Sequence, residues 1–281
     1  MEIGIINLYG IGNALMEGPL VKTLLKMKHK VTAIVDSTRC NRFVYRSWGI
    51  QTLDYDSSKK KHFNWLVWTH AKTKKLLHTA ANEWIITPAK DKSKKGFMWK
   101  FKKHEVEYCM DFARKLGYKG KVPKITLPKP KKVSFTATDN TVAIGVGYYA
   151  GERFSINKHW GNSNYVALCT VLDGMGYLPV LIGDRNDCVN SGMHISASSP
   201  ALNLCGRVSL GNIWSMLSDT EYYIGNDTGL GHLADVYGKA LFLFREKGSN
   251  PVKNCPWNSK RYLISPTVDE VVSEFKEMIG G

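Results

Sequence analysis

Metal-ligand spacing is missing from these 281 residues. The six cysteines, Cys40, Cys109, Cys169, Cys188, Cys205 and Cys255, are scattered, with no C-x-x-C or Cys-x-His pattern. That scatter argues against a zinc site and fits reduced, intracellular thiols. No apolar run approaches the ~20 residues of a membrane span. The N-terminus runs straight into Ile3-Gly4-Ile5-Ile6, without a basic lead or a small-residue cleavage site, so the expectation is no signal peptide and a cytoplasmic location. Arginine is sparse beside lysine, which suits phosphate contact better than reading of base edges.

What is present is apolar residue in quantity, 43% of the chain, enough to bury real cores. The length suits two domains of roughly 130 residues. Charge is distributed unevenly: residues 1–56 carry +2, residues 57–132 carry +16 and residues 133–281 carry −3. An excess gathered in one stretch points to a polyanionic partner, whether nucleic acid, an anionic membrane surface or a phosphorylated glycan.

Strands and helices alternate along the chain. The run 3–8 stops at Tyr9-Gly10-Ile11-Gly12-Asn13; an amphipathic segment, Leu20 to Lys26, follows Pro19, and Val31 to Asp36 reads as a buried parallel strand. Position 15, where a dinucleotide fingerprint needs its third glycine, is Leu15, so Gly10 and Gly12 instead mark a close approach of backbone to a ligand or another domain. Lysines and aromatics alternate through 57–132, with strand candidates Trp65–Trp68 and Trp84–Thr87 and a helix between them. The segment containing Lys94, Lys95, Trp99, Lys102 and Lys103 can stack rings on bases while its ammoniums meet phosphates; it can equally lie at a membrane interface or form a hairpin with exposed lysines. His104 to Leu116 is helical by spacing, with acids early, bases late and Gly117 as its cap. Three prolines and five lysines in 121–132 read as a linker.

The second half repeats the alternation. Strand 142–147 leads to a loop with Glu152, Arg153, Lys158 and His159, then to a helix from about Ser163 to Met175. Strand Leu178–Ile182 ends in Gly183-Asp184-Arg185-Asn186-Asp187, Ser209 is placed to cap the helix Leu210–Leu217, and Thr267 stands three residues before Glu270 as a capping box. Between them, Tyr222-Tyr223-Ile224 stops at Gly225, and Asn226-Asp227-Thr228-Gly229-Leu230-Gly231-His232 follows before an apolar segment from Leu233 to Gly238. Strand, tight turn and helix at a strand's carboxyl end is where open α/β sheets bind ligands, with Asp227 or Thr228 as the helix cap. The pattern predicts an α/β chain of two Rossmann-like domains with a cleft between them: residues 1–132, residues 133–266 and a C-terminal helix over 267–281.

With these motifs in order, the chain resembles the heptosyltransferase-type glycosyltransferases of the GT-B fold, with a phage-type DNA-modifying branch as one form of that resemblance. Gly225 to Ala234 resembles that family's donor signature, and the resemblance implies that Asn226, Asp227, Thr228, Gly229 and His232 hold a nucleotide-sugar. Lys158-His159-Trp160 resembles its Lys-x-Trp, whose lysine faces the donor phosphates; Gly183 to Asp187 resembles its glycine loop, whose acid reaches the ribose; Leu204 to Leu210, with Ser209, resembles the segment before the donor turn. Ile11-Gly12-Asn13 with Pro19 resembles the N-terminal Gly-Asp and its proline. There the chain departs from the pattern: the family's catalytic aspartate is Asn13, and a neutral amide takes no proton. Glu17, one helical turn on, and Glu152 are the replacement candidates.

The resemblance implies inverting, metal-independent sugar transfer from a UDP-, GDP- or ADP-sugar, with Lys158, His232 and backbone N–H groups at Thr228-Gly229 stabilising the leaving diphosphate. The acceptor belongs to the basic first domain, at Gly12 and the Lys94–Lys103 segment. Duplex DNA with a hydroxymethylated pyrimidine is the first expectation, drawn from the charge, and would place the enzyme in a host cytoplasm. A lipopolysaccharide core at the inner membrane is the second. A non-catalytic nucleic-acid binder on the same scaffold is the third, and Asn13 is its best argument.

Overall fold

The computed structural model describes residues 1–36, 41–58, 60–68, 103–130, 140–148, 156–238 and 240–280, together with the backbone course of 81–86. The chain divides into two compact units, Met1–Pro128 and Lys129–Gly281.

In the first unit, β1 (Glu2–Asn7), β2 (Lys30–Val35), β3 (Gln51–Asp54), β4 (Phe63–Trp68) and β5 (Ala81–Ile86) form a parallel sheet in the order β3-β2-β1-β4-β5. Strands covered on both faces need apolar side chains at successive positions, which is why β1 and β2 read as unbroken hydrophobic runs. Ile6, Ile34, Phe63, Leu66 and Trp68 make one core cluster of this unit. The helix Gly18–Lys26 has Pro19 in its first turn, where the missing N–H costs nothing, and buries Leu20, Val21 and Leu24. In the helix Glu105–Lys115 the first N–H groups find a side-chain partner, since Val106 N donates to His104 Nδ1 at 3.1 Å.

The second unit holds β6 (Thr141–Gly145), β7 (Leu178–Ile182), β8 (Leu202–Asn203), β9 (Tyr222–Asn226), β10 (Ala240–Phe244) and β11 (Arg261–Ile264), also all parallel, in the order β11-β10-β9-β6-β7-β8. Its core gathers Val142, Ile144, Leu181, Ile224, Leu241 and Leu243 with Leu168 and Leu172 of the helix Asn162–Gly174. The C-terminal helix Val268–Gly280 adds Val271, Val272 and Phe275 to that same core. Its start is a reciprocal box: Thr267 N donates to Glu270 Oε2 at 2.8 Å, and Glu270 N to Thr267 Oγ1 at 3.3 Å. Among the described residues no helix is long and apolar enough to cross a membrane.

Each sheet reverses its winding once, between β1 and β4 in the first unit and between β6 and β9 in the second. The crevice at the carboxyl ends of the strands flanking such a reversal is the standard ligand position of the doubly wound fold. β1 ends at Asn7, and β9 ends at Asn226. The chemistry therefore has one expected location in each unit.

Candidate functional site

At the reversal of the second unit, glycines make room for one phenol. A Cβ on Gly145 would lie 1.9 Å from Tyr223 Oη, and one on Gly225 would lie 2.6 Å from Gly145 O, so neither strand end tolerates a side chain. Tyr165 Oη donates to Asn226 Oδ1 at 2.9 Å, and Asn226 Nδ2 donates to Gly147 O at 3.1 Å. Asn226 is wholly buried. It was expected to bind the donor; it ties the end of β9 to the chain leaving β6 instead, because both ends of its amide are consumed within the protein.

Beyond Asn226 the backbone turns over Asp227 and Thr228 and enters the helix Gly229–Asp235. The helix starts directly after Thr228, one of the two cap positions expected from the sequence. Thr228 supplies the reason, as an extended N-cap whose hydroxyl accepts from Gly231 N at 3.4 Å. His232 is thereby placed inside the helix, one turn from Asp227, and stacks edge-on against Phe242 with ring centroids 5.0 Å apart.

Asp227 is the hub. Its Oδ1 lies 3.0 Å from His232 Nε2, while its Oδ2 accepts from Lys158 Nζ at 2.9 Å and from Asn254 Nδ2 at 3.1 Å. Burial is the largest single influence on this carboxyl and disfavours its charge, but the Lys158 ammonium, then the hydrogen bond from His232, outweigh it and hold the group well below the usual carboxylate range. An ionised carboxylate only accepts, so His232 carries its proton on Nε2. Asp227 and His232 are nearly inaccessible, whereas the Lys158 side chain is 33% exposed. Lys158 thus stands with one side on Asp227 and the other open to solvent.

The loop carrying Asn254 is fastened to the lysine's own segment. Arg245 Nη1 donates to His159 O at 3.2 Å, and a Cβ on Gly248 would lie 2.9 Å from Asn157 O, so glycine alone lets the loop lie this close. Beside it, His159 Nε2 lies 2.9 Å from Ser191 Oγ; burial, then the Arg245 charge, lower its pKa to about 4.

Two further expected donor residues have other duties. Asp187 accepts from Asp184 N at 2.8 Å and from Tyr148 N at 3.1 Å, and a Cβ on Gly147 would lie 2.6 Å from its Oδ2. Burial raises its pKa to about 6. It anchors the loop leaving β6, so its carboxylate is engaged with backbone rather than turned out toward a ribose. Ser209 caps the helix Leu210–Asp219, accepting from Asn212 N at 3.2 Å.

In the first unit the expected base, Glu17, is wholly buried. Asn7 Nδ2 donates to its Oε1 at 3.1 Å, and the Tyr45 hydroxyl donates to its Oε2. Glu17 consequently braces the end of β1 and is closed off from an acceptor hydroxyl. Asn13, on the short helix Ile11–Met16, donates from Nδ2 to Glu105 Oε1 at 3.1 Å, and Glu105 is buried. An aspartate at 13 would set two carboxylates against each other, so the amide is the residue that this neighbour requires. Gly12 is buried in the same helix. Lys103 pairs with Asp111 and lies over the Tyr108 ring, with Nζ 4.9 Å from its centroid. Glu152, Lys94, Lys95, Trp99 and Lys102 lie outside the described residues.

Sequence reasoning missed Asn254, Tyr165 and Tyr223 around the hub, and Asn7, Tyr45 and Glu105 in the first unit. Asn254, Tyr165, Tyr45 and Glu105 reach their partners across 27 to 92 residues of chain, whereas Tyr223 stands at the head of the donor motif and meets Thr228 only five residues on. Among the described residues no cluster of His, Cys, Asp and Glu has the arrangement of a metal site.

Against known families, residues 91–273 match the model of glycosyltransferase family 9 (heptosyltransferase). The chain belongs to glycosyltransferase family 9. Lipooligosaccharide heptosyltransferase 2 of Haemophilus ducreyi is 27% identical over 139 residues, 48% of this chain and 39% of that protein. The protein of the same description from Haemophilus influenzae is 25% identical over 133 residues, 45% of this chain and 38% of its own length. The match thus spans about two-fifths of each curated relative. Among solved structures, E. coli ADP-heptose lps heptosyltransferase II superposes with a TM-score of 0.77 at 16% identity, covering 99% of this chain and 98% of that one. E. coli heptosyltransferase WaaC with ADP gives 0.73 at 14% identity, covering 99% and 100%. At such identities the likeness speaks for the fold, the two-sheet α/β architecture of the GT-B heptosyltransferases.

Proposed function

We propose that this family 9 chain is a nucleotide-sugar-dependent glycosyltransferase that moves a heptose-type sugar from an ADP-sugar to a hydroxyl of a lipopolysaccharide-core glycolipid. The Asp227 hub at the winding reversal carries the reading. One ionised carboxylate holds a third-exposed lysine against it, so the hub offers a diphosphate a cation kept in place by the fold. The solved relative with ADP supports the choice of nucleotide, and the lipooligosaccharide relatives support the acceptor.

In the reaction the bond between the anomeric carbon and the diphosphate oxygen breaks, and its electron pair leaves with the diphosphate. The acceptor oxygen forms the new bond from the opposite face, with inversion, and gives up its proton. Lys158 swings part of its charge from Asp227 to the departing diphosphate; one such preorganised contact is worth about 10²–10³ in rate. Of the two carboxylates nominated as base, Glu17 is closed off by its burial, which leaves Glu152 as the candidate to take the proton. DNA was the first expectation for the acceptor; neither the family nor the named relatives support it, and the lipid acceptor fits them better.

The test is transfer itself. The protein is incubated with ADP-heptose and either heptose-deficient lipopolysaccharide core or duplexes containing hydroxymethylcytosine or hydroxymethyluracil, followed by mass spectrometry. A heptose mass added to the glycolipid alone is the expected result. Addition to DNA alone would replace the acceptor, and no transfer to any of them would remove the activity.

A further inference from the structure

We propose that Asn254 is a specificity-determining contact for the sugar of the donor, distinguishing a sugar hydroxyl from a phosphate; this rests on the donor-site reading above.

Asp227 fixes the orientation of the Asn254 amide. Asp227 Oδ2 only accepts, so the atom of Asn254 facing it at 3.1 Å is the nitrogen, and the carbonyl Oδ1 is the other end. That Oδ1 is buried and has no hydrogen-bond partner in the structure. A buried acceptor without a donor costs about 1–3 kcal/mol, so a ligand that brings a donor recovers what the folded protein gives up there. The complementary group stands beside it. Lys158 has three N–H donors, and the hydrogen bonds it makes here go to Asp227 Oδ2 at 2.9 Å and Asp227 O at 3.2 Å.

The Asn254 amide nitrogen and the Lys158 ammonium therefore flank the same carboxylate oxygen, the amide carrying an unpartnered carbonyl at its other end and the ammonium a remaining proton. A hydroxyl answers both, donating to Asn254 Oδ1 and accepting from Lys158. A phosphate oxygen answers only the lysine, because at neutral pH it has no proton to give Asn254. The position is rigid: Asn250 caps the turn Pro251–Asn254, with Val252 N donating to its Oδ1 at 2.9 Å, and Gly248 packs on the backbone of 157–158. Asn254 is thus set relative to Lys158 by the fold.

Calorimetric titration of the full chain with ADP and with ADP-heptose tests this. The unaltered protein is expected to bind both, and the sugar nucleotide more tightly. Asn254→Ala should weaken ADP-heptose about tenfold and leave ADP within twofold. Asn254→Ser, which keeps an accepting oxygen, should recover part of the loss. Equal weakening of both ligands by Asn254→Ala would overturn the proposal, showing that the residue serves only the Asp227–Lys158 framework. No change for either ligand would overturn it as well. Binding of neither ligand by the unaltered protein would remove the donor-site reading, and this one with it, while ADP binding without a gain from the sugar would remove this one alone. Should Asn254→Ala not fold, Asn254→Ser against the parent carries the same comparison, with discrimination between the two ligands as the readout.

Discussion

Each unit buries a carboxylate near the end of a strand that borders its winding reversal, and the two are neutralised in opposite ways. Glu17 meets neutral donors, the Asn7 amide and the Tyr45 phenol, and is sealed. Asp227 meets an ammonium and a protonated ring nitrogen, and one of those partners is a third exposed. Neutral donors that are wholly enclosed make a brace. A cation that reaches solvent makes a site, since a ligand can take over part of what the carboxylate holds. Tyr45 shows the same enclosure from the other side: burial, then the Glu17 charge, raise its pKa well above the phenol range, so it stays a donor at every ordinary pH.

The contrast is broken most strongly at Asp227. Asp227→Ala strands the buried His232 and releases Lys158, so ADP-heptose affinity should fall at least about a hundredfold by calorimetry; Lys158→Ala should cut turnover about 10²–10³-fold. Undiminished binding in Asp227→Ala would make the two carboxylates equivalent. Glu17→Leu is the mirror experiment. It leaves two buried donors unpaired at about 1–3 kcal/mol each, a loss read from urea unfolding, while ADP-heptose affinity of the folded fraction holds. A variant of full stability but without turnover would restore Glu17 as the base.

Asn13→Asp sharpens the view of the first unit. Two carboxylates at the Glu105 contact cannot both ionise cheaply, so stability at pH 7 should drop by about 1–2 kcal/mol and recover as the pH falls toward 5. The smallest effect lies at His159. Its folded pKa of about 4 is below the ordinary 6.5, so the unfolded chain binds the extra proton between those values. The contribution is present above pH 6.5 and is lost as pH falls toward 4. His159→Gln should therefore lose less stability than the parent between pH 7 and pH 5. Asp187 runs the other way: with its pKa raised to about 6 from 3.8, its contribution falls as pH rises through that window, which narrows the net change.

The inner strands were legible because burial on both faces writes unbroken apolar runs, while β3, β8 and β11 at the sheet edges went unread; the capping box at Thr267 was legible because its partners stand three residues apart. The donor turn was legible as a motif but not in its duties. Asn226 reads the same whether its amide faces a ligand or, as here, Tyr165 and Gly147, and only the fold decides. Asn13 looked like a lost aspartate because its partner Glu105 is 92 residues away. Asn254, 27 residues from Asp227, carries no motif at all. Local signals survive in sequence; pairings made by sheet winding do not.

The central claim is that the donor is held in the second unit around Asp227. Hydrogen–deuterium exchange of the full chain with and without ADP-heptose tests it most directly. Slowed exchange is expected over 227–232, 157–160 and 248–255, and the same experiment on Lys158→Ala should show it weakened. Protection confined to residues 1–128, with none around Asp227, would contradict the account.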